Sequence, residues 1–62
     1  MYKVEIIESR GKEDFAKIIE QFLNEKVDNN DYTLYFSITT PTTSVPIYTA
    51  LIIYKPKNHG MA

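Results

Sequence analysis

Tyr48-Thr49-Ala50-Leu51-Ile52-Ile53-Tyr54 is the longest continuous apolar run in the chain. Its β-branched and aromatic side chains read as a strand that is apolar on both faces. A strand that is apolar on one face fills a core. A strand apolar on both also needs cover for its second face, and this need organises the reading of the other segments.

Upstream, Leu34, Phe36 and Ile38 alternate with Thr33, Tyr35, Ser37 and Thr39, the period of a half-buried strand. Residues 40–46 contain two prolines and four hydroxyl side chains, which makes them a hairpin loop longer than the two-residue minimum. Asp28-Asn29-Asn30-Asp31 reads as a turn or loop, built from residues that bond their own backbone and tolerate left-handed conformations.

Residues 12–26 change to a helical period. Phe15, Ile18, Ile19 and Phe22, extended by Leu23 and Val27, form one stripe at spacings of three and four. Glu13 and Asp14 stand where the helix dipole favours acid, and Lys26 where it favours base. Ser9 and Gly11 are both candidates for the N-cap. Before the helix, Tyr2, Val4 and Ile6 alternate with Lys3, Glu5 and the apolar exception Ile7.

The expectation is a single α+β domain over residues 1–55, with the order strand, helix, strand, strand (β-α-β-β). Residues 56–62 are read as a flexible tail. One helix covers one face of a three-stranded sheet. The last two strands pair antiparallel. The first two, joined through the helix, run parallel with a right-handed crossover. The two-sided apolar character of the last strand places it between them.

The expected helix side carries Val4, Ile6, Leu34, Phe36, Ile38, Ile47, Leu51 and Ile53. The opposite face then holds Ile7, Tyr35, Tyr48, Ala50, Ile52 and Tyr54, a tyrosine-rich and uncharged candidate interface. Should the last strand be turned over, Ile47, Leu51 and Ile53 replace its residues outside, and the second face stays apolar. Self-association is the leading use for such a face. A solvated surface, and a surface for another protein or a small molecule, are the alternatives.

The chain has 62 residues, no Cys, one His and a net charge of −1. A core this small supplies about 3–5 kcal/mol, usually supplemented by disulfides, a metal or oligomerisation. The lack of Cys and the single His59 remove the first two within one chain, so oligomerisation remains. Interleaved acids and bases argue against nucleic acid as the main partner. No apolar stretch approaches a membrane span, and Glu5 interrupts any leader-like segment, so a cytoplasmic location is expected. No cofactor is expected. No acid, base or nucleophile has an orienting partner, so an enzyme is not expected either. The hydroxyl-rich loop of residues 39–44 is a candidate for partner hydrogen bonds or phosphorylation.

Tyr2-Lys3-Val4-Glu5-Ile6-Ile7-Glu8, Phe15, Gln21-Phe22-Leu23-Asn24 and Ala50-Leu51-Ile52-Ile53-Tyr54-Lys55 resemble a family of small sporulation-associated proteins of spore-forming bacteria. Phages of such bacteria carry genes of similar size, often for inhibitors of host or defence proteins. The resemblance implies a protein-binding role and no catalytic residues. The topology alone is similar to dodecins, which stack flavins between aromatic side chains in hollow shells. The chain has no Trp for that purpose, which leaves Tyr35 or Tyr48 as substitutes.

Overall fold

The computed structural model describes residues 1–41 and 45–57. The centre of the hydroxyl-rich loop (residues 42–44) and the tail containing His59 and Gly60 lie outside the described residues. The elements are β1 (Lys3–Ser9), α1 (Lys12–Lys26), β2 (Val27–Thr39) and β3 (Ile47–Pro56). The sheet order is β1-β3-β2, and β3 is antiparallel to both neighbours. β1 and β2 therefore run in the same direction on either side of β3, as the two-sided apolar run requires. The result is a small α+β fold with one helix on a three-stranded sheet.

The helix starts where its signals place it. Gly11 is the N-cap, in extended backbone with φ −109° and ψ 128°, and its carbonyl accepts from Phe15 N–H at 2.8 Å. Ser9 acts one step earlier: Gly11 N–H donates to Ser9 Oγ at 3.2 Å, and that hydroxyl donates back to Gly11 O at 3.3 Å. Gly11 is thus the cap, without a side-chain capping bond, and Ser9 braces it from the preceding turn.

Two boundaries differ from the sequence reading. Asp28-Asn29-Asn30-Asp31 is not a loop but the first part of β2. Asn29 and Asn30 do take left-handed backbone, φ 58° and 56°, and pairing with β3 shifts register between Val27 and Tyr32. The tolerance of Asn for that region serves a bulge inside a long strand. Pro56, expected in the tail, is the last residue of β3. It pairs with Val27, Lys57 N–H donates to Lys26 O at 3.0 Å, and Lys57 Nζ donates to Asn24 O at 2.7 Å. These contacts tie the end of β3 to the end of α1.

The core is Ile7, Phe15, Val27, Ala50, Ile52 and Tyr54, with Ile19, Phe22, Leu23, Leu34 and Tyr48 packed against it. Phe15 lies against Tyr48 at 5.5 Å between ring centroids and against Phe36 at 6.1 Å. Phe22 meets Tyr54 edge-on at 4.9 Å. The row Tyr48, Ala50, Ile52, Tyr54 is thus the helix side of β3, with a ring at each end and the smallest side chain within it. Small Ala50 lets α1 approach, and the flanking rings receive Phe15 and Phe22.

This reverses the expected facing of two strands. Ile7, Ala50, Ile52 and Tyr54 are buried beneath the helix, and Tyr48 is half-buried there. Val4 and Ile6 point away from it, as do Leu51 and Ile53 by alternation. β2 keeps its expected orientation, with Leu34 and Phe36 on the helix side.

Candidate interaction surface

The register builds the open face row by row. Val4, Ile53 and Thr33 lie side by side across β1, β3 and β2; the next row is Ile6, Leu51 and Tyr35, followed by Glu8, Thr49 and Ser37. The first two rows place five apolar or aromatic side chains together over all three strands. Ile6 is 64% exposed and Tyr35 60%, while Leu51 and Ile53 are half-buried between their neighbours. No described element covers this face.

One end of the face is closed by a polar clasp. Tyr2 Oη donates to both carboxylate oxygens of Asp31, at 3.1 and 3.0 Å. The bond reaches over β3, one residue beyond the row of Lys3, Tyr54 and Tyr32. It raises the phenol pKa above its ordinary value: ionisation breaks the hydrogen bond, sets two anions side by side and, as a smaller effect, leaves the phenolate slightly less hydrated than in free tyrosine.

Of the six candidate interface residues, only Tyr35 lies on the open face. Ile7, Ala50, Ile52 and Tyr54 are core, and Tyr48 stacks on Phe15. An interface on this side instead uses Val4, Ile6, Leu51 and Ile53, the set that the turned-over strand brings outside together with the facing of β1. Ala50 was the available signal: of the two alternating sets on β3, only one contains a residue small enough for close helix approach. Tyr35 and Tyr48 lie on opposite faces of the sheet, so they do not form one stacking site.

A second apolar surface lies on the helix side. A helix is about 10 Å across, whereas three strands at about 4.8 Å spacing span about 14 Å, so one helix leaves a strand incompletely covered. That strand is β2. Phe36 is 57% exposed and Ile38 is exposed beside it, along a groove walled by Phe15, Ile19 and Leu23 of the helix.

Among the described residues, no group of three His, Cys, Asp or Glu side chains is placed to hold a metal ion, and no buried side-chain polar atom lacks a partner. Within the same residues, no helix is long and apolar enough to cross a membrane. Comparison with protein-family models, curated proteins and solved structures finds no match to this chain.

Proposed function

We propose that the chain is a non-enzymatic protein-interaction module that self-associates through the open sheet face and works by binding another protein. The observation that carries this reading is the two-row cluster of Val4, Ile6, Tyr35, Leu51 and Ile53, which spans every strand and contains no charge. Contiguous apolar clusters of this kind mark interaction surfaces more often than single scattered residues do. Self-association also supplies what a short, cysteine-free chain needs, because binding to the folded state alone stabilises it by mass action. A sporulation-related role or phage inhibition of a host protein is the setting in which we place it.

The test is the mass in solution, by light scattering across a concentration series. The native chain is expected to be a dimer or larger. Ile6→Glu should lower that mass without changing the far-ultraviolet circular dichroism, because Ile6 is exposed and outside the core. A monomeric native chain at every concentration defeats the self-association reading. An unchanged mass for Ile6→Glu defeats the assignment to this face.

A further inference from the structure

The free edge of β2 has no partner among the described elements, because β3 pairs only on its other side. Edge strands are normally guarded by charge, proline, shortness, a bulge or cover; in β2 the bulge at Asn29 and Asn30 and the acids Asp28 and Asp31 guard only the first part of the strand. The outer edge of β1 has such guards: it is seven residues long and carries Lys3, Glu5 and Glu8. β2 has 13 residues, and its Tyr32-Thr33-Leu34-Tyr35-Phe36-Ser37-Ile38-Thr39 segment contains neither charge nor proline. Its outward N–H and C=O groups form a ready template for another strand.

We infer that this edge pairs antiparallel with β2 of a second copy, about a two-fold axis perpendicular to the sheet. This deepens the self-association reading by naming a second contact for it. Such an axis sets each residue opposite one of the same facing, whatever the register. Leu34, Phe36 and Ile38 then meet their own row on the helix side, and Thr33, Tyr35, Ser37 and Thr39 meet theirs on the open side. Apolar groups lie beside apolar groups and hydroxyls beside hydroxyls, the cross-strand pairs that favour pairing. Like charges directly opposite one another oppose pairing, and this segment has none. The acid at its start, Asp31, falls opposite residue 39 or 41 when the axis passes Tyr35 or Phe36, and so does not meet its own copy.

Size points the same way. Nine residues at about 3.4 Å by three strands at about 4.8 Å give an open face with a footprint of roughly 400 Å² per protomer. Stable interfaces bury about 800 Å² of accessible surface per partner. The face of one chain is a small contact, and edge pairing sets two such faces side by side on one sheet, doubling the area that a second sheet can cover. The paired form is a six-stranded sheet in the order β1-β3-β2-β2-β3-β1, with both helices on one side and both open faces on the other.

The absence of Cys makes a direct test possible. Single cysteines are placed in turn at Leu34, Tyr35, Phe36, Ser37 and Ile38, in both the native and the Ile6→Glu chain, with Lys17→Cys as an exposed control. After mild oxidation, disulfide-linked dimer is expected to peak at one β2 position, at several times the control yield, and to fall off on both sides. The peak should persist in the Ile6→Glu background. Amide hydrogen exchange should show consecutive protection along residues 32–39, whereas a free edge leaves alternate amides fast. Yields at the control level together with alternate fast amides overturn the pairing. If the peak is present while Ile6→Glu leaves the mass unchanged, the edge contact stands and the face contact falls. If the peak is absent while Ile6→Glu lowers the mass, the reverse holds.

Discussion

The Tyr2 hydroxyl and the Asp31 carboxylate join the two outer strands across β3, through bonds of 3.1 and 3.0 Å. The residues are 29 positions apart in sequence and meet only because β3 lies between β1 and β2. The pair is exposed, so salt and water weaken it.

Its pH dependence follows from the direction of the shift. The phenol pKa is raised in the folded chain. The stabilising contribution is therefore complete below the ordinary tyrosine pKa and is lost as pH rises through the higher folded value. Spectrophotometric titration should show one tyrosine ionising late. Asp31→Asn should move it toward the ordinary range, and Tyr2→Phe should remove it. A titration unchanged by Asp31→Asn would contradict the clasp.

Facing is tested by two isoleucines from paired strands. Ile52 has no solvent exposure, and Ile6 is largely exposed. Ile52→Ala should cost about 2–5 kcal/mol, comparable to the whole stability of a domain this small, at about 3–5 kcal/mol. Ile6→Ala should stay within about 0.5 kcal/mol, as exposed substitutions do, at concentrations that keep chains apart. Urea denaturation reads both; equal costs would contradict this facing, and a larger cost for Ile6→Ala would mean that the strands face the other way.

The bulge in β2 has its own signature. Asn29 and Asn30 are left-handed. Asn29→Val should destabilise the chain by about 1–2 kcal/mol through its Cβ branching in that conformation, whereas Asn29→Gly should be close to neutral. Thermal unfolding of the two variants separates them. Equal melting temperatures would argue against a left-handed bulge.

The helix start can be improved. The backbone angles of Gly11 suit any N-cap residue, and an added Cβ meets nothing nearer than Asp14 Oδ2 at 3.4 Å. Gly11→Ser supplies a side-chain acceptor and restricts the unfolded chain, so a gain of about 0.5–1 kcal/mol is expected. Calorimetry should show a rise in melting temperature of about 2–6 °C.

The helix and strands were legible where one period dominated. Lys12–Lys26 follows the 3.6-residue period with acid first and base last, and the structure places α1 there. Leu34, Phe36 and Ile38 alternate with hydroxyl residues, and this strand kept its facing. In Leu51-Ile52-Ile53, both alternating sets are apolar, so period two cannot say which set faces the helix. Ile6 and Ile7 pose the same ambiguity on β1. Only one of the six residues expected to form the interface, Tyr35, therefore lies on the open face, although that face is apolar as expected.

Sequence alone determined the element types, their order and the two-sided apolar nature of the last strand, because these depend on side-chain periods within short segments. The tertiary structure decided which side of that strand is core. Close packing of α1 needs a small residue between two rings, and only the Tyr48-Ala50-Ile52-Tyr54 row provides it. Tertiary packing also decided that β2 keeps a free edge among the described elements, because β3 pairs with it on one side only, and that Phe36 and Ile38 stay exposed, because one helix is too narrow to cover three strands.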